Sequence, residues 1–121
     1  MILKCIRSFK FAFRGLYILV KNENNAKVHL IASILVVGLG FFFKITSIEW
    51  LWIFLSISLI WMAEAFNSAV EKLVDLVSPN FHPIAGAVKD MAAGAVLCVA
   101  IFSAICGAII FIPKILFLLQ N

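Results

Sequence analysis

Residues Ala92 to Ile112 form a run of 21 residues without one charged side chain. A helix of that length crosses the roughly 30 Å hydrocarbon core of a bilayer. The rest of the chain agrees with a membrane setting. Of 121 residues, 64% are hydrophobic and only 13% are charged, and the mean hydropathy is +1.13. The charged share is about half that of soluble domains. A monomeric globule of this size cannot bury so much apolar surface, so lipid and partner subunits must cover it. An ordinary soluble domain is excluded, and the length favours a single domain, 1–121.

Two more spans precede this one. The first runs from about residue 30 to 48, contains Gly38 and Gly40, and carries Lys44, which can snorkel to the far interface. Thr46-Ser47 allows a tight turn, and Trp50 and Trp52 sit where interfacial aromatics are expected. The second runs from about 48 to 77. Thirty residues rise about 45 Å, so its last turns project beyond the lipid. Ser78-Pro79-Asn80-Phe81-His82-Pro83 ends it in a loop. The third span runs from about 84 to 113. Its Ala92-Ala93-Gly94-Ala95 stretch lets helices approach closely, and Pro113 and Lys114 mark its far end.

Residues 2–21 follow another pattern. Ile6, Phe9, Phe13, Leu16 and Val20 line one face, and Lys4, Arg7, Lys10, Arg14 and Lys21 the neighbouring face. A basic, Phe-rich helix of this kind lies in the interface rather than crossing it. Asn22-Glu23-Asn24-Asn25 then marks a turn or a helix restart. The expected fold is an all-α membrane protein with one N-terminal interfacial helix and three transmembrane helices.

Three crossings put the N-terminus and the 70–90 loop on one side. That side holds eight of the ten Lys and Arg residues; only Lys44 and Lys114 lie opposite. The positive-inside rule makes it cytoplasmic, the side that offers ATP. The basic residues are too few and too interleaved with Phe for a nucleic-acid arm; they suit an anionic membrane face. Five of the six acidic residues map to the same side: Glu23, Glu64, Glu71, Asp75 and Asp90. Cys5, Cys98 and Cys106 form no metal or redox pattern and read as small hydrophobes.

Within the second span Glu64 is followed by Asn67, Glu71 and Asp75, at spacings of three, four and four. At about 100° per residue these side chains fall in a sector of roughly 80°. An ionisable group at that depth costs about 2.5–3.5 kcal/mol, which marks it as functional. Phosphoryl transfer needs metal ions on the phosphates, a cation or two, and a base for the nucleophile. Mg²⁺ takes one or two carboxylates plus phosphate oxygens; Glu23 and Glu71 can supply them, and Asn67 adds a neutral oxygen. Lys89 is a point cation suited to a phosphate. Glu64, deeper and drier, can accept a proton from a hydroxyl at headgroup depth. His29 and His82 read as interfacial polar residues, and Lys72 as a solvated helix-end charge. No soluble nucleotide-binding signature is present.

The segments Glu64-Ala-Phe-Asn67-Ser-Ala-Val-Glu71-Lys-Leu-Val-Asp75 and Lys89-Asp90-Met-Ala-Ala-Gly-Ala-Val resemble the prokaryotic diacylglycerol kinase family, which includes undecaprenol kinases. Glu23-Asn24-Asn25-Ala26-Lys27-Val28-His29 is similar to a further family element. The resemblance implies a homotrimer in the bacterial inner (cytoplasmic) membrane that phosphorylates a lipid alcohol with MgATP. It implies Glu64 as catalytic base and Glu23 and Glu71 as holders of the ATP-bound Mg²⁺. It places Lys89 and Asp90 on nucleotide phosphates or ribose, and Asn80, Phe81 and His82 in the nucleotide loop. Asn67 and Asp75 complete the polar cluster. Lys4 stands where the family has a nucleotide-contacting Arg; it keeps the charge but loses the fork, leaving a weak contact. Diacylglycerol and undecaprenol both present a primary hydroxyl; Pro83 and Ala92-Ala93-Gly94 resemble the undecaprenol branch. The rival readings are a small proton or ion transporter relaying through Glu64, and a structural membrane subunit.

Overall fold

A computed structural model describes all 121 residues, Met1–Asn121. They form four helices and no strand: α1 (Ile2–Asn22), α2 (Asn24–Phe42), α3 (Ser47–Val77) and α4 (Pro83–Gln120). The last three are long and apolar enough to cross a membrane. α3 and α4 pack along one another, α2 lies on α3, and α1 makes fewer contacts, with α2 and α3. The chain is therefore an all-helical membrane protein with three spans.

Local chemistry explains where each helix starts and stops. Glu23 alone is extended (φ −108°, ψ 121°) and separates α1 from α2. The sequence places the first span from about residue 30, but the helix already starts at Asn24. The polar Asn24-Asn25 and Lys27 form its first turns instead of a loop. It ends at Phe42, before the expected 48, in a Schellman-type cap. Ile45 N–H donates to the Gly40 carbonyl at 3.2 Å and Lys44 N–H to the Phe41 carbonyl at 3.3 Å. Thr46 then opens α3 with a capping box: its Oγ1 accepts from Glu49 N–H at 3.2 Å, and Glu49 Oε2 accepts from Thr46 N–H at 2.9 Å.

At the opposite end, His82 Nδ1 accepts from Ile84 N–H at 3.1 Å and Pro83 occupies the first turn of α4. The far end of α4 corrects the expected stop at Pro113: the helix runs through it to Gln120. Proline removes one backbone donor from the ladder, and membrane helices tolerate it where neighbouring helices, side chains or a local adjustment of the turn satisfy the freed carbonyl. Lys114 Nζ meanwhile donates to the Ile110 carbonyl at 3.1 Å.

The tightest core lies at this far end. Ile45, Ile53, Ile110 and Phe111 are buried together, with Val36, Phe43, Trp50 and Ile57 packed against them. Lys114 Nζ also donates to Glu49 Oε1 at 2.7 Å, locking the start of α3 to α4. The other end of the bundle gathers most of the acidic side chains.

Candidate active site

Glu64 is where α3 leaves its apolar face. Its side chain is buried, at 2% exposure, and does not point into the surrounding lipid space. Asn67 and Ser68, one turn on, are buried as well. Of the expected stripe, Asn67 and Glu71 are in contact: Asn67 Nδ2 donates to Glu71 Oε1 at 3.4 Å. Three oxygens here, Glu64 Oε2, Asn67 Oδ1 and Ser68 Oγ, are buried without a hydrogen-bond partner. Groups like these are costly to leave unsatisfied and mark a place that ligands or water complete.

α2 closes over this stripe. Ala26, fully buried, lets its first turns approach α3 closely. His29 Nε2 lies 3.7 Å from Glu64 Oε2. The Glu23 side chain, in the break before α2, makes no cap hydrogen bond to that helix. Its Oε1 instead accepts from Lys72 Nζ at 2.7 Å. Glu23 and Glu71 both lie close enough to act electrostatically on Glu64. Glu23, His29, Glu64, Asn67, Glu71 and Lys72 thus form one group at the meeting of α2 and α3.

A second group sits further out. Asp75 pairs with Lys89 of α4. Both line a cavity of about 180 Å³ together with Asn80, Phe81, His82 and Gly86. Ser78 Oγ donates to the Asn80 carbonyl at 3.1 Å and shapes this loop. Beside it an apolar cavity of about 410 Å³ runs between α3 and α4, lined by Leu73, Val77, Ile84 and Val88.

Some expected residues stay outside. Asp90 is exposed and joins neither group. Lys4 is exposed near the start of α1, about 28 Å along the chain axis from Glu23. Two residues enter that sequence reasoning set aside as interfacial or solvated. His29 belongs to an Ala26, His29, Ser33 stripe at spacings of three and four, a small-polar face suited to close helix packing. Lys72 faces Glu23 across a separation of 49 residues. No three His, Cys, Asp or Glu side chains are gathered to enclose a metal ion by themselves.

The transporter reading finds no continuation. Glu49 is the only acidic side chain at the other end of the spans, and Lys114 and Thr46 both engage it.

Three spans with carboxylates massed at one end define a small polytopic membrane protein. The chain belongs to the prokaryotic diacylglycerol kinase family, whose model matches residues 10–111. It is 41% identical to the undecaprenol kinase of Bacillus subtilis (strain 168), covering 90% of this chain and 89% of that protein. It is 31% identical to the diacylglycerol kinase of Synechocystis sp., covering 93% of this chain and 65% of that protein. It is also 31% identical to the diacylglycerol kinase of Haemophilus influenzae, covering 88% and 91%. The chain is therefore a membrane lipid kinase, and the reading as a mere structural subunit falls away.

Proposed function

We propose that this kinase moves the γ-phosphate of MgATP onto the hydroxyl of a membrane lipid alcohol, with undecaprenol favoured over diacylglycerol. The observation that carries the proposal is Glu64: a carboxylate at the end of an apolar stretch, buried, with one oxygen unpartnered. Such a group can take the proton of a hydroxyl delivered from the lipid. The lipid oxygen then bonds to the γ-phosphorus, and the bond to the β-phosphate oxygen breaks with its electron pair leaving on ADP.

Glu23 and Glu71 flank Glu64 and suit a divalent cation that arrives with the nucleotide. Each has one oxygen engaged, by Lys72 and Asn67 respectively. Mg²⁺ needs only one or two carboxylates beside phosphate oxygens and water, so this donor set fits. When bound, the ion neutralises charge on the transferring phosphates. Lys89, on the rim of the outer cavity with Asn80, Phe81 and His82, supplies a cation for phosphate. Asp90 and Lys4 complete the nucleotide contacts only when another copy is beside this one. The work is done as a homotrimer in the bacterial inner membrane, with the site on the cytoplasmic side. The preference for undecaprenol rests on the 41% identity to a kinase of that name against 31% to diacylglycerol kinases.

The test uses purified protein in mixed micelles with MgATP and each lipid in turn. Phosphorylated undecaprenol formed faster than phosphatidic acid is expected. Transfer to neither lipid overturns the proposal. Glu64→Gln should cut turnover by about 10²–10⁴-fold with the fold intact; near-normal activity removes Glu64 from the role of base.

A further inference from the structure

Glu64 Oε2 is buried and no donor reaches it. His29 Nε2, at 3.7 Å, is its one counterpart of opposite character, while Glu23 and Glu71 act on it with like charge. An N–H···O bond spans about 2.7–3.2 Å, so a side-chain movement of about 1 Å or less would close the gap.

The register of α2 on α3 makes this facing deliberate. Along α3, Trp61 Nε1 donates to Ser33 Oγ at 3.2 Å, Glu64 faces His29, and Lys72 donates to Glu23. The partners step back from 33 and 29 on α2 to 23 just before it, in antiparallel order. Ser33 Oγ also donates to the His29 carbonyl at 2.7 Å. The turn that carries the imidazole is thereby tied to α3 one turn below Glu64. His29 also walls a cavity of about 200 Å³ with Ser33, Ser56 and Ser103, which leaves the ring room to rotate.

We infer that His29 is a positioning residue: its ring N–H donates to Glu64 and holds that carboxylate towards the lipid hydroxyl. The inference rests on the reading of Glu64 as base. In it His29 touches neither nucleotide nor lipid, so its loss lowers turnover rather than nucleotide affinity.

Four variants test this in mixed micelles with MgATP and undecaprenol: His29→Leu, His29→Gln, His29→Asn and Glu64→Gln. His29→Leu should lower kcat by about 10–10²-fold and leave KM for MgATP within about threefold. His29→Gln keeps an N–H at similar reach and should recover to within about fivefold of the parent. His29→Asn, one methylene shorter, should fall between the two. Thermal unfolding and elution volume report the fold. If His29→Leu turns over like the parent while Glu64→Gln is inactive, the inference fails and the base survives. Equal rates for folded His29→Leu and His29→Gln overturn it too. If His29→Leu does not fold, equal rates for His29→Gln and His29→Asn overturn it instead. An active Glu64→Gln sinks the base reading itself.

Discussion

At Lys44 the backbone adopts φ 50°, the left-handed region that side chains with a Cβ occupy at a cost. The residue holds the C′ position of the cap on α2, where glycine is the usual occupant. Lys44→Gly is expected to raise stability by about 0.5–1 kcal/mol, since relief of strain outweighs glycine's extra unfolded-state entropy. Unfolding in mixed micelles measures it. Four residues earlier the requirement is reversed. A Cβ added at Gly40 would sit 2.6 Å from Trp50 Cη2 and 3.1 Å from Ile45 Cδ1. Trp50 cannot yield easily, because it stacks on Phe54 at 5.3 Å and packs on Phe41 at 5.0 Å. Gly40→Ala should therefore destabilise by about 1–3 kcal/mol, the cost of overpacking. A rise in stability would show that the α2–α3 corner is looser than its contacts imply. The sequence marks Lys44 as a snorkelling cation and is silent on its backbone, because no glycine flags the cap.

The helix α3, which bears Glu64, Asn67 and Glu71, is anchored at its opposite end by a small device. Glu49 caps Thr46 with one oxygen and binds Lys114 with the other. Lys114→Met frees one side of this clasp without touching the carboxylate cluster. A loss of about 0.5–1 kcal/mol is expected for such a partly exposed pair, with lipid phosphorylation near the parent rate. A collapse of activity in folded Lys114→Met would tie the far end to catalysis. The elements themselves are largely legible in the sequence. Charge-free runs mark the spans, and the Glu64, Asn67, Glu71, Asp75 spacing marks a polar face, of which Glu64 and Asn67 are buried. The ends are less so. Asn24-Asn25 reads as a break because polar residues disfavour a membrane helix, yet these first turns lie at its polar end. Pro113 reads as a stop, yet the apolar Ile115–Leu119 continue the helix beyond it. The Ala26, His29, Ser33 spacing marks a packing face of α2, but the pairing of His29 with Glu64 joins two helices, and no spacing within one helix names that partner.

A single copy of the whole molecule leaves most of its surface open. Only 11 of 121 residues are buried, and large hydrophobics from Ile2 to Leu119 lie open. Lipid or further copies of the chain can cover those. Along α3 the Glu64 carboxylate and the Asp75 partner of Lys89 are about 16 Å apart. One γ-phosphate cannot touch both a lipid hydroxyl at Glu64 and the Lys89 ammonium across that distance. A neighbouring copy that lays its α4 against the α2–α3 face would bring its own Lys89 to this Glu64. Closed rings of three identical contacts would make three such sites. Mixing tests it without knowledge of the interface. Glu64→Gln and Lys89→Ala are each expected to be nearly inactive alone. Co-reassembled in equal amounts from denatured chains, they restore about a quarter of parental activity if each site takes Glu64 from one chain and Lys89 from the next. That is the fraction of random contacts joining the two intact residues. Sites contained within one chain restore none, because no chain in the mixture then carries both groups, and a null result with both variants folded and co-eluting would place the whole reaction inside the single copy.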